Sequence, residues 1–197
     1  MKSLLLVVIL IFTGCSVTSA PVTEYRIDPQ VKFEVSDAHT CKDKSLKITQ
    51  VFSSTSLMSK KMKYAEDDLK ENSFSQSEWA ISPTKAITKE LVKSIRASQL
   101  FSTVTSFKSR SRSDIILETS VEDFMQYFNT KSKKSYVSVV VSMTLVDSKS
   151  SKTLETKTFE KKVDVSSFDA YGGVKALNTA FEILLIENNK WLESLCK

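Results

Sequence analysis

From Tyr136 to Val146 the chain alternates with a period of two. Val137, Val139, Val141, Met143 and Leu145 share one parity; Ser138, Val140, Ser142 and Thr144 share the other. Successive side chains of a strand point to opposite faces, so this run predicts a strand buried on one side and wetter on the other. One strand cannot stand alone in water, and the chain must supply partners. Asp114–Phe128 supplies one: Ile115, Leu117 and Val121 lie on one face, then Phe124 and Phe128 take the other parity. That switch predicts a β-bulge near Glu122 and Asp123. Leu154–Val165 supplies the second, with Phe159 and Val163 inward, after the polar turn Asp147–Lys152. Together they read as an antiparallel meander.

Two helices bracket these strands. Ser82 is a suitable N-cap and Pro83 suits the first helical position. Ile87, Leu91 and Ile95 recur every four residues beside Val92, giving an apolar stripe through about residue 98, while Lys85, Lys89, Lys93 and Arg96 occupy the rest. Phe101, Val104 and Phe107 then suggest a short strand. Gly172-Gly173 reads as a break before a last helix that carries Val174, Leu177, Phe181, Leu184, Trp191 and Leu195 at spacings of three and four. Upstream, Leu46, Ile48 and Phe52 predict a strand over 46–52, and 57–64 with 69–74 a pair of short strands. Strands, helix, strands, helix is the order of a two-layer α+β domain: a largely antiparallel sheet packed by two amphipathic helices.

The N-terminus has a different logic. Lys2 precedes an apolar run from Leu4 to Phe12, nine residues long, where a membrane-spanning helix needs about 20. The run therefore reads as an export signal. Gly14-Cys15 at its end resembles the bacterial lipobox, although Phe12 stands where an aliphatic residue is usual. On that reading residues 1–14 are a lipoprotein signal peptide and Cys15 carries S-diacylglyceryl and N-acyl groups. The competing reading is an ordinary secretory signal that contains a cysteine. By resemblance to enteric sorting rules, Ser16 after the cysteine, rather than Asp, implies the outer membrane. Residues 15–44, rich in Ser, Thr and charge with Pro21 and Pro29, read as a lipid-anchored tether, and 45–197 as the folded domain.

Lipidation of Cys15 would leave Cys41 and Cys196 as an even pair in an oxidising compartment. Two readings stand: a disulfide closing almost the whole mature domain, or two unpaired thiols. Composition excludes several function classes. Three glycines in the whole chain leave no room for a Gly-rich phosphate loop, and His39 is the sole histidine. His39-x-Cys41 is too few ligands for a zinc site, so no metal is expected. No nucleophile has a recognisable base beside it, so no enzyme is expected. The net charge of +5 is scattered, with clusters only at Lys60–Lys63, Lys108–Arg112 and Lys131–Lys134. No aromatic stacking platform is interleaved with them, which argues against nucleic acid; solvated turns or contact with anionic lipid headgroups remain.

One set of residues goes further. Glu78-Trp79-x-x-x-Pro83, then Leu91-Val92-x-x-Ile95-x-x-Ser98-x-x-Phe101-x-x-Val104, resembles the ABC-type transport auxiliary lipoprotein family, as do Leu57-x-x-Lys60-x-Met62-x-Tyr64 and Tyr25-Arg26-Ile27. The resemblance implies a non-catalytic role without cofactors beside an ABC permease and an MCE-domain protein. The cargo would be phospholipid, and the protein would sit on the periplasmic face of the outer membrane. It also implies homo-oligomers, which the sequence leaves open. Outer-membrane assembly lipoproteins for lipopolysaccharide insertion and ring-forming secretion-channel subunits are the alternatives. Trp79 reads either as a partner-binding anchor or as a seal of the helix onto the sheet. Tyr64, Phe124 and Phe128 carry the same ambiguity between exposed patch and core.

Overall fold

The structure is a computed structural model that describes residues 20–31, 41–67 and 69–196. The elements run β1 (Thr23–Tyr25), β2 (Ser45–Ile48), β3 (Phe52–Ser53), a 3-10 turn (Thr55–Met58), β4 (Lys61–Glu66), β5 (Lys70–Trp79), α1 (Pro83–Ala97), β6 (Thr103–Ser106), β7 (Ile115–Asn129), β8 (Lys134–Asp147), β9 (Thr153–Asp164) and α2 (Ala170–Leu195). Helices and a single sheet make the α+β layering expected from the order of the sequence patterns.

β7 organises the sheet. Its fifteen residues span roughly 45–50 Å at strand rise. One edge pairs antiparallel with β8 from Ile115↔Asp147 to Asn129↔Lys134. β8 then pairs antiparallel with β9, completing the meander. The other edge of β7 is shared by three short strands, all parallel to it: β2 at Ile115–Leu117, β3 at Ser120–Val121 and β4 at Gln126–Phe128. Two arms extend from these contacts, β2–β6 at one end and β4–β5–β1 at the other. The long pairings are antiparallel as expected; the parallel ones are short. The register shifts between Val121 and Asp123, where the parity switch predicted a bulge.

The inward faces of these strands and both helices share one core. Leu46, Ile48, Leu117, Val137, Val139, Val141 and Met143 from the sheet meet Ile87, Leu91 and Ile95 from α1 and Phe181, Leu184 and Leu192 from α2, none exposed to solvent. Each such side chain contributes about 1.5–3 kcal/mol of burial. α2, 26 residues and about 39 Å long, lies against β9, β8 and β7.

Four expectations need correction. The predicted strand over 46–52 is two strands. The Thr49 amide makes the last bond of the β2 ladder, to the Leu117 carbonyl, and the Val51 amide then turns to the Thr88 hydroxyl of α1. Ser82 is the residue before α1, yet its hydroxyl does not cap. It lies 3.4 Å from the Thr84 hydroxyl, and the Ser82 carbonyl accepts from the Lys85 and Ala86 amides instead. Gly172 and Gly173 do not break the pattern: they form the first turn of α2, capped by Asp169, whose carboxylate accepts from the Gly172 amide at 2.8 Å. Finally, the folded domain starts before residue 45. β1 pairs with β5 at Thr23↔Ser77 through Tyr25↔Trp79, and Ile27, Pro29 and Cys41 are buried.

Candidate functional site

α1 turns its apolar stripe to the core and leaves Lys85, Lys89, Lys93 and Arg96 along the outside. Four-residue spacing stacks the three lysines on one helical face. The chain then reverses through Ser98–Ser102 and returns as β6 beside the helix, ending at Phe107 and Lys108. Arg96 fixes this return, its Nη2 donating to the Val104 carbonyl at 2.9 Å. Between helix and strand lies a groove of about 790 Å³. Val92, Ala97 and Phe107 give it apolar surface; Lys85, Lys89, Lys93, Arg96 and Lys108 give it five cations. No acidic side chain lines it among the described residues. The expected short strand covers Thr103–Ser106, so Phe101 precedes it and Phe107, 41% exposed, follows it.

Beneath the rim sits Glu90, 2% exposed. Lys93 Nζ reaches its Oε2 at 3.3 Å, and Lys89 Nζ lies 3.2 Å from its Oε1, close enough to pair but without hydrogen-bond geometry. The carboxylate therefore pins two rim lysines to the helix. Chemically the groove offers positive charge around an apolar floor, suited to an acidic segment that also carries apolar groups. Sequence reasoning passed over it because a lysine-rich helix face is usually just solvated; the 85, 89, 93 repeat ahead of an aromatic at the end of a strand was the available signal.

A second depression lies at the β7 bulge, lined by Ser54, Leu57, Lys63, Glu71, Asp123 and Tyr127 among others. Burial pushes the Asp123 carboxyl above the ordinary carboxylate range, against the opposing pull of the Ser138 and Tyr127 hydroxyls. Tyr127 donates to it at 2.9 Å. The described residues bring no three His, Cys, Asp or Glu side chains together as a metal site.

Three of the four aromatic residues singled out in the sequence, Trp79, Phe124 and Phe128, lie inside. Trp79, 2% exposed, ends β5 and packs on Phe124 at 5.9 Å between ring centroids, and Phe124 meets Phe181 of α2 edge-on. Trp79 thus seals the entry to α1 and is no surface anchor. Phe128, 7% exposed, sits beside half-buried Tyr64, edge-on at 5.4 Å. Burial of Trp79, Phe124 and Phe128 corrects their candidacy as partner contacts, while Tyr64 keeps a partly exposed ring beside Phe74 and Phe128. Cys41 and Cys196 form a disulfide between Cα atoms 5.2 Å apart. Cys15, its signal peptide and His39 lie outside the described residues. Of the basic clusters, Lys60 pairs with Glu24 and Glu78.

A family model for the ABC-type transport auxiliary lipoprotein component matches residues 25–187. The chain belongs to that family. Its fold recurs in a DUF330-family protein from Xanthomonas campestris, with a TM-score of 0.76 at 18% identity, covering 86% of this chain and 94% of that one. It recurs in an uncharacterised protein with a TM-score of 0.68 at 12% identity, over 88% and 99% of the respective chains. No curated protein matches in sequence. Membership in this ABC-transport auxiliary lipoprotein family makes the chain an auxiliary transport component, membrane-anchored and periplasmic. Among the described residues no helix is long and apolar enough to cross a membrane.

Proposed function

We propose that this lipoprotein is the non-catalytic docking component of an ABC transport system that moves phospholipid. It is held on the periplasmic face of the outer membrane by acyl groups on Cys15 and meets an MCE-domain protein of that system. The groove between α1 and β6 carries the proposal. Five cations around Val92, Ala97 and Phe107 give it the chemistry to seat an acidic, partly apolar segment of a protein partner. Family membership supplies the transport context. No nucleophile–base pair or cofactor is needed for such a role, because docking uses complementarity alone.

The test is purification of the full-length lipoprotein in gentle detergent, followed by mass spectrometry of the proteins that accompany it. The expected result is an MCE-domain protein with the wild type and its loss with Lys85→Glu/Lys108→Glu, two rim lysines not tied to Glu90. A β-barrel protein in its place would move the role to outer-membrane assembly. Undiminished recovery with the double variant would remove the groove from the interface.

A further inference from the structure

The opposite end of the sheet has a different surface. β4 and β7 are parallel, so the β4–β5 turn and the β7–β8 turn emerge side by side, tied by the Thr130 hydroxyl and amide, which both donate to the Asp67 carboxylate. The β9–α2 loop joins them, since the Val165 amide donates to the Ser135 carbonyl at 2.9 Å. Each of these tips presents a large apolar side chain, a cluster of lysines or both. Leu69 is 93% exposed on the first turn, while Phe168 stands 53% exposed on the third; Tyr171, in the first turn of α2, lies instead beside Tyr25 and under Lys175. Phe168 rests edge-on against Phe128 and is held upright. Lys70, Lys131, Lys133 and Lys134 surround these tips, all exposed. Lys133, Lys134 and Phe168 line one depression of about 430 Å³, in which Asp164 is the one carboxylate against two lysines among the described residues. Two nearby carboxylates are already engaged: Asp67 by Thr130, and Asp169 by Gly172 and Ser167.

The chain enters the fold from this same end. β1 is parallel to β5, and β5 starts at the tip with Lys70. From Ser77, opposite Thr23, back to Lys70 is about 24 Å of strand. Eight residue steps separate Cys15 from Thr23 and reach at most about 29 Å. An anchor on Cys15 can thus lie level with the tips and scarcely beyond them.

We propose that this end of the domain docks onto an anionic lipid bilayer, with Leu69 and Phe168 entering the interface and the tip lysines pairing with headgroup phosphates. Aromatic and leucine side chains beside lysines are the chemistry of a membrane–water boundary. Anchoring by Cys15 would hold the protein at a membrane; docking fixes which way it faces. The inference rests on the anchored reading only for the position of the chain's start.

The test uses the full-length lipoprotein in vesicles of phosphatidylethanolamine and phosphatidylglycerol with brominated acyl chains, which quench tryptophan by contact. Two variants are compared: Leu69→Trp at the tip and Leu154→Trp, likewise open to solvent beyond the β8–β9 turn at the other end. The signal that each substitution adds to the wild-type fluorescence is the readout. Docking predicts that the signal added by Leu69→Trp is largely quenched and that added by Leu154→Trp is not. It also predicts that Lys131→Glu/Lys133→Glu/Lys134→Glu relieves the quenching at position 69. Unquenched signal at both positions, or equal quenching at both, overturns the proposal. Intact mass reports separately on acylation of Cys15. If the chain proves unacylated, flotation with anionic vesicles together with quenching at position 69 still supports docking, and no flotation overturns it.

Discussion

Gly173 lies so close to Gln126 that a Cβ added to it would stand 1.9 Å from the Gln126 Oε1 and 2.7 Å from its Cδ. Here the first turn of α2 is pressed onto β7 with the Gln126 side chain filling the space between. Gln126 is 2% exposed and its Oε1 has no hydrogen-bond donor, so a Cβ has nowhere to push it. Gly173→Ala should destabilise the domain by about 1–3 kcal/mol, the range for overpacking, although alanine favours helix elsewhere. Urea unfolding of the variant checks this; unchanged stability would mean that α2 does not seat as described.

Cys41 and Cys196 close a loop with a sequence separation of 155. Restricting so long a loop in the unfolded chain stabilises the folded one. Cys41→Ser/Cys196→Ser should cost roughly 2–5 kcal/mol. Thermal melts of the oxidised protein and the double variant give the difference, and coincident curves would refute it.

The Glu90 carboxylate is buried and has two lysines as its cations. Lys93→Ala should therefore cost more stability than Lys85→Ala, by about 0.5–1.5 kcal/mol, the range for one lost partner while Lys89 stays beside the carboxylate. The single variants Lys93→Ala and Lys85→Ala, compared by urea unfolding, decide it. A double variant Glu90→Gln/Lys93→Ala should recover much of the loss.

pH acts in two directions. Asp123 has its folded-state pKa raised by burial, so its ionisation weakens the fold above that pKa and the penalty vanishes at pH values below the unfolded one. Asp123→Asn should raise the melting temperature at pH 7 and leave it almost unchanged near pH 3. Asp114 shows the reverse. The Ser45 amide, then the Ser45 hydroxyl, hold it below the usual carboxylate range, and Asp169 is held down by the Gly172 amide. Their contributions are present above about pH 4 and lost as pH falls through the lower folded values. Melting temperature against pH should fall on the acid side, less steeply for Asp114→Asn; a parallel curve would contradict this.

The sequence showed the meander, the bulge and α1 because each depends on local period: alternation, a change of parity, a four-residue stripe. Pairing direction was hidden. A strand shows the same alternation whether its partner runs parallel or antiparallel, so nothing in Leu46 or Ile48 indicated that β2, β3 and β4 would line one edge of β7. Gly172-Gly173 misled because glycine marks both a chain break and a close approach, and only the position of Gln126 separates the two. Trp79 was ambiguous for a similar reason: a large ring at a helix entrance serves a core as well as an interface. The groove escaped because its parts, an exposed helix face and Phe107, come from elements whose neighbourhood is set by the turn between them. The apolar and lysine-bearing tips were harder still, since Leu69, Lys131 and Phe168 are brought together only by parallel strands that sequence periodicity does not reveal.

β7 has an unbroken partner along one edge, while on the other its partners leave gaps at residues 118–119 and 122–125. The two arms share no ladder with each other. The domain is built like a rib with two panels hung from it at opposite ends, joined to each other through α1 and the shared core rather than by a ladder. The groove lies at one panel and the tips at the other, so the surface proposed for a partner and the surface proposed for a bilayer hang from opposite ends of one rib and face different company.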